Sequence, residues 1–233
     1  MSSIEFDPAT SRPTRIANYE IIELLGEGAM GYVYRARDPE LKVDLALKML
    51  KCEVAVNESA RDRFLREAQA AAALQDDHIV PVIRVGEVLL ENDQHYLWLV
   101  MPLLKGETLA ARIARTDVDP IPLTEQLTIG EGIAWGLSVA HAAGLVHRDI
   151  KPANIWLEPH QDGLRAKILD FGLARSATDM TLTNSNAVMG TPAYMAPEQY
   201  RSPKVDHRAD LWSLGVIMYE MATGRRPFRG ESF

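Results

Sequence analysis

The strongest chemical signal in the chain is the run His147-Arg148-Asp149-Ile150-Lys151-Pro152-Ala153-Asn154. Asp149 can accept a hydroxyl proton. Lys151, two residues on, can neutralise charge on a transferring phosphoryl oxygen. Asn154 offers a side-chain oxygen to a hard metal ion, which prefers oxygen ligands. Asp170, in Asp170-Phe171-Gly172 at a strand end, supplies a second such oxygen, and Gly172 lets the chain turn. Two further features lie upstream. Gly26-x-Gly28-x-x-Gly31 can fold backbone N–H groups over phosphates, and Lys48 in Ala46-Leu47-Lys48 can hold phosphate oxygens if a carboxylate such as Glu67 steadies it. Each has a plainer reading when taken alone: a glycine-rich turn, a solvated strand lysine, a solvent-facing helix glutamate. The ordered set is what carries weight.

The elements that must position these residues follow from pattern. Ile21, Ile22, Leu24 and Leu25 form a strand that enters the glycines, and Tyr32-Val33-Tyr34-Arg35-Ala36-Arg37 leaves them as a second strand. Because a strand follows Gly31, a phosphate-covering hairpin fits better than the dinucleotide motif, in which the glycines lead into a helix. An oxidoreductase reading would rest on the glycines alone, and the chain lacks repeated βαβ units. Residues 45–50 read as a third strand. A helix over 58–74 places Phe64, Ala68, Ala71 and Ala72 on one face, and strands follow at about 79–89 and 96–101. Beyond Gly106 the character turns helical. Thr124 is the expected N-cap of a helix over 125–143, with Ile133, Leu137 and Ala140 on one face and Gly144 just past its end. Gly130, Gly132 and Gly136 weaken that helix by about 1 kcal/mol each against alanine, so tertiary packing must hold it. Short strands are expected near 155–157 and 166–169. A last helix over 206–223 carries Leu211, Leu214, Gly215, Met218 and Met221. The pattern is α+β.

Composition sets outer bounds. The 233 residues are 47% hydrophobic and 24% charged, which excludes disorder over most of the length. A net charge of −7 argues against a non-specific nucleic-acid binder. No run of about 18 apolar residues marks a membrane span, and residues 1–5 lack the features of a secretory signal. A single cysteine, Cys52, allows no internal disulfide. A cytoplasmic setting is therefore expected, with a membrane-anchored longer parent left open.

Taken in order, these motifs resemble the eukaryotic-like protein kinases, in particular the bacterial Ser/Thr branch. The resemblance runs from about Tyr19 to Phe228 and rests on Gly26-x-Gly28-x-x-Gly31-x-Val33, Lys48, Glu67, His147-Arg148-Asp149-x-Lys151-x-x-Asn154 and Asp170-Phe171-Gly172. Ala196-Pro197-Glu198 and Asp210-Leu211-Trp212-Ser213-Leu214-Gly215 complete it. It implies a two-lobed fold: a flexible leader at 1–14, a strand-rich N-lobe at 15–101 and a helix-rich C-lobe at 102–233 that lacks its last helices. It also implies roles. Gly26, Glu27, Gly28 and Gly31 would cover the phosphates of ATP, with Val33 and Ala46 packed on adenine. Lys48, steadied by Glu67, would bind the α- and β-phosphates. Met101 would take the gatekeeper place, and Leu104 would offer an N–H to adenine. Asn154 and Asp170 would hold Mg²⁺. Asp149 would orient the acceptor hydroxyl, and Lys151 would balance charge on the γ-phosphoryl. Lys151 and Thr191 match the Ser/Thr-type pattern, so protein Ser/Thr hydroxyls, including the chain's own, are the expected acceptors. Arg148 implies control by phosphorylation at Thr178, Thr181, Thr183 or Ser185.

Three departures qualify the resemblance. Pro102 stands where glutamate is usual, but it keeps its carbonyl. Trp156 shares a strand face with Asn154 and replaces a smaller aliphatic residue, so it is expected at the adenine floor. The family's later helices, which would supply an arginine to Glu198 and cover the helix at 206–223, do not follow Phe228. Glu198 is therefore expected to be buried without its partner, with apolar helix surface exposed and open to self-association or a covering partner. The rival to an active enzyme is a nucleotide-binding, inactive kinase-like fragment or scaffold.

Overall fold

The structure is a computed structural model, and it describes residues 4–7, 12–28, 31–50, 58–89, 95–116, 118–161, 163–171, 192–202 and 205–228. They fall into two compact units. Of the described residues, the first takes those up to Ala73 together with Pro81–Leu104; the second takes Leu74–Val80, 105–171 and 192–228. Gly172, Cys52 and the candidate phosphate acceptors Thr178, Thr181, Thr183 and Ser185 lie outside the described residues.

The first unit is an antiparallel sheet with one helix. Its strands are β1 (Ile4–Phe6), β2 (Pro13–Ile16), β3 (Tyr19–Gly28), β4 (Gly31–Asp38), β5 (Val43–Leu50), β6 (Arg84–Leu89) and β7 (His95–Pro102), in the spatial order β1-β2-β3-β4-β5-β7-β6. The helix α1 spans Glu58–Ala72. Strand side chains alternate between faces. One face gathers Tyr34, Ala36, Leu45, Leu47, Met49, Trp98 and Val100 with Ile16 and Tyr19 into an apolar cluster. Each such side chain contributes about 2 kcal/mol when fully buried. Residues 4–6 and 13–14, expected to be part of a loose leader over 1–14, belong to strands: Ile4 and Ile16 are buried in that cluster, and β1 and β2 extend the sheet from β3. Their apolar residues are too few for a periodic signal, and pairing supplies what the pattern lacks. On α1, Phe64, Ala68 and Ala71 are buried as expected, but Ala72 is exposed.

The second unit contains β8 (Glu107–Thr108), α2 (Leu109–Ile113), α3 (Leu123–Ala142), β9 (Ile155–His160), β10 (Gly163–Ile168) and α4 (Arg208–Thr223), with an antiparallel sheet in the order β10-β9-β8. Single 3-10 turns lie at Pro152–Asn154, Pro192–Tyr194 and Pro197–Tyr200. Thr108 caps α2 by accepting the Ala111 N–H at 3.2 Å, a short element the pattern does not announce. Pro122 takes the N-cap place on α3 instead of Thr124, two residues earlier than expected. Ile133, Leu137 and Ala140 are fully buried, as the spacing predicts. The residues 74–80 run beside β10: Val80 N–H donates to Ile168 O at 2.9 Å, and Ile168 N–H to His78 O at 2.8 Å. This approach explains Gly136, because a Cβ there would stand 2.9 Å from the His78 carbonyl oxygen. What reads as a helix penalty is a requirement of packing. On α4 the buried face is Ala209, Asp210, Ser213, Val216, Ile217, Glu220 and Met221. Leu211, Trp212 and Tyr219 are exposed, in line with the expectation of apolar surface uncovered on this helix. An aspartate and a glutamate pack inward on the buried face, which hydropathy alone does not reveal. Among the described residues no helix is long and apolar enough to cross a membrane.

Candidate active site

In the first unit the sheet register sets the candidate nucleotide residues in rows. Gly26 pairs with Val33, Val33 with Lys48, Ala46 with Met101, and Lys48 with Leu99. Directly paired residues share a face, so Val33, Ala46, Lys48 and Met101 line the side of the sheet opposite the apolar cluster. Lys48 is only 7% exposed, which is not the state of a solvated edge lysine. Glu67 is half-buried on α1. Leu104 follows the end of β7, and Glu27 pairs with Tyr32, outside the row. The glycines differ in kind. Gly31 has φ +155 and would drive a Cβ into the Met49 carbonyl oxygen, so its pairing with β5 demands glycine. A Cβ on Gly26 or Gly28 would meet nothing within 4 Å. Chain packing does not require those two to be glycine.

In the second unit the run from His147 to Asn154 is tied down at nearly every residue. Asp210, fully buried on α4, accepts the His147 N–H at 2.9 Å, the Arg148 N–H at 2.7 Å and the His141 ring Nε2 at 2.8 Å. Burial alone would push the Asp210 carboxyl up. The His141 hydrogen bond, the influence of His147 and the two backbone N–H groups outweigh it and hold the carboxyl below its ordinary value. With both backbone donors satisfied, Arg148 is held at φ +66, a conformation rare outside glycine. His147 is buried against Phe171, ring edge to ring face at 4.9 Å. Its Nε2 faces Leu169 O at 2.8 Å and its Nδ1 faces the Asp149 N–H at 3.2 Å, which assigns the proton to Nε2.

Asp149 then becomes the centre of a small polar cluster. Lys151 Nζ donates to Asp149 Oδ2 at 2.7 Å. The 3-10 turn at Pro152–Asn154 brings Asn154 back, and Asn154 Nδ2 donates to Asp149 O at 2.8 Å and to Asp149 Oδ2 at 3.0 Å. Its Oδ1 is left to face elsewhere. The Leu169 N–H donates to Asn154 O at 2.9 Å, so Asp170 follows directly beside Asn154, at φ +60. An amide oxygen and a carboxylate are hard donors, and their chemistry fits Mg²⁺ shared with substrate phosphates.

The structure thus gathers Asp149, Lys151, Asn154 and Asp170 in one unit and Gly26, Gly28, Gly31, Val33, Ala46, Lys48 and Met101 in the other. Trp156, on β9, pairs with Thr108 and donates its indole N–H to Lys105 O at 2.8 Å. Glu198 is exposed, not buried as expected, so it carries no desolvation cost. Sequence reasoning assigned no task to Asp210 or His141. A carboxylate in the first turn of an otherwise apolar helix is the signal that was available. The neighbouring turn is pinned from the same helix: Ser213 Oγ donates to Tyr194 O at 2.8 Å and Tyr194 Oη to Glu220 Oε2 at 2.6 Å. Burial, and then that hydrogen bond, push the Tyr194 hydroxyl well above its ordinary range.

Comparison with known proteins agrees with this geometry. The protein kinase domain family matches residues 19–232. A probable serine/threonine-protein kinase of Clostridium perfringens is 39% identical over 92% of this chain and 30% of its own length. Serine/threonine-protein kinase PknB of Mycobacterium leprae is 40% identical over 96% of this chain and 35% of its own length. The crystal structure of the Mycobacterium tuberculosis PknI kinase domain superposes with TM-score 0.73 at 32% identity, covering 91% of this chain and 77% of that one. The chain spans about a third of the length of the curated relatives it matches. The chain belongs to the protein kinase domain family, in its bacterial serine/threonine branch.

Proposed function

We propose that this chain transfers the γ-phosphoryl group of ATP to serine and threonine hydroxyls of proteins, its own among them. The observation that carries the proposal is the cluster at Asp149: a carboxylate with a lysine at 2.7 Å and an asparagine at 3.0 Å, all mounted on a loop anchored by buried Asp210. In this reading Asp149 orients the acceptor hydroxyl and takes its proton as the bond to phosphorus forms. Lys151, already beside that carboxylate, offsets negative charge on the transferring group. Asn154 Oδ1 and the Asp170 carboxylate hold Mg²⁺, which when bound neutralises phosphate oxygens. Rate comes from position and electrostatics, since little covalent chemistry is left to the protein.

On the sheet, buried Lys48 holds the α- and β-phosphates with Glu67 as its partner, and Val33, Ala46, Met101 and Leu104 receive adenine. The open space at Gly26 and Gly28 supports phosphate binding over a simple turn, because glycine there serves close approach by something other than the chain. Trp156 is read in this scheme as a residue that sets nucleotide affinity. The domain limits 15–101 and 102–233 go with it, as does a cytoplasmic setting, where ATP is supplied. The test is incubation of the purified chain with ATP, Mg²⁺ and a mixed Ser/Thr peptide pool, read by mass spectrometry. Phosphate on Ser or Thr that depends on Mg²⁺ and on Lys48 is expected. ATP bound but never consumed by folded protein would refute transfer and leave a nucleotide-binding scaffold.

A further inference from the structure

We propose that Gln199 is a positioning residue for Asp149, acting through the peptide bond that precedes it. Gln199 Nε2 donates to Arg148 O at 2.9 Å, and Gln199 Oε1 accepts the Ala196 N–H at 2.9 Å. The two contacts admit one orientation of the amide, because a carbonyl needs a donor and an N–H needs an acceptor. Arg148 is the strained residue of the loop, at φ +66. Its N–H is held by Asp210 at 2.7 Å. Its carbonyl is held by Gln199. The N–H on the far side of the same peptide, that of Asp149, is held by His147 Nδ1 at 3.2 Å. The peptide plane that aims Asp149 is therefore held at its carbonyl by Gln199 and at its N–H by His147, with the preceding peptide held by Asp210, and Gln199 supplies the contact that comes from outside the loop and α4.

This gives Gln199 a linking task. It sits in the 3-10 turn Pro197–Tyr200 and reaches back to the first residue before that turn, so its amide cannot shift without the turn. A displacement of residues 196–200 would release the Arg148 carbonyl and let the strained peptide relax. Asp149 would then lose its aim while ATP binding on the sheet stayed intact. The proposal rests on the phosphoryl-transfer reading for its kinetic part, and its structural part stands apart from that reading.

The test compares Gln199→Glu, Gln199→Ala and the unchanged chain. Glutamate keeps the acceptor toward Ala196 and loses the donor toward Arg148. With Gln199→Glu at neutral pH, kcat should fall about tenfold, the worth of one such hydrogen bond, with KM for ATP changed less than about twofold. On acidification the protonated side chain regains a donor, so activity relative to the unchanged chain should recover toward pH 5; Gln199→Ala should show no such recovery. Amide hydrogen exchange at Asp149 should quicken in both variants, with α3 unaffected. Equal kcat and equal exchange in all three proteins would overturn the proposal. A parallel loss of kcat, KM and melting temperature without recovery at low pH would overturn it too, by showing a structural role only. If the unchanged chain transfers no phosphate, the function falls and exchange at Asp149 alone decides the role of Gln199.

Discussion

The two units hold their candidate residues in opposite ways. The sheet places Val33, Lys48 and Met101 by ladder register on the face opposite an apolar cluster, and its arginine ion pairs lie towards solvent. Arg35 there reaches Asp44 at 2.6 Å and Glu23 at 3.2 Å, with Arg37 also on Asp44, all partly or largely solvent-exposed. The loop from His147 to Asn154 has no ladder. It is placed by a buried carboxylate that accepts from two backbone N–H groups and a histidine ring. Charge at the surface is screened and replaceable, whereas charge in the interior is costly to strand once its partners depend on it. The same chemical groups therefore decorate one unit and determine the other.

Removing Asp210 should hurt most. Asp210→Ala strands the donors of His147 and Arg148 and should cost about 3 kcal/mol, read from urea midpoints. The acid limb gives the sign. The folded carboxyl titrates below its ordinary 3.8, so its contribution is full above that value and is lost as pH falls through the lower folded value. The gap between the unchanged chain and the variant should accordingly narrow as pH drops below that point. A constant gap would mean that Asp210 acts by shape, not charge.

Gly136→Ala should come next. Its Cβ would meet backbone, not a yielding side chain, and the overpacking should cost about 2 kcal/mol by the same measurement. At Trp156, leucine loses the bond to Lys105 O and most of the ring, and ATP affinity should change about fivefold in a calorimetric titration. Unchanged affinity would place the ring in packing alone. Arg35→Ala should be smallest, with no measurable change in melting temperature. A large loss there would erase the contrast between the units.

Legibility in the sequence divides along the same line. The strands of the sheet read well from alternation and turn residues, while the pairing of Val33 with Lys48 comes from the register the structure shows. The loop's residue types also read well, since Asp149, Lys151, Asn154 and Asp170 name their own chemistry. What holds them does not read. Asp210 meets His147 across 63 residues of chain and His141 across 69, and no local period encodes that. The demand for Gly136 has the same origin, a long-range contact that outranks local preference. The strands at 4–6 and 13–16 are too short for a periodic signal, and only pairing to β3 reveals them.

The most direct test of the account is labelled phosphate transfer from ATP with Mg²⁺ by the purified chain, beside Asp149→Asn, with nucleotide binding measured on both. Transfer by the unchanged chain should fall about a thousandfold in the variant while ATP affinity stays the same. Transfer that survives the substitution would contradict the place given to Asp149 and to the loop built around it.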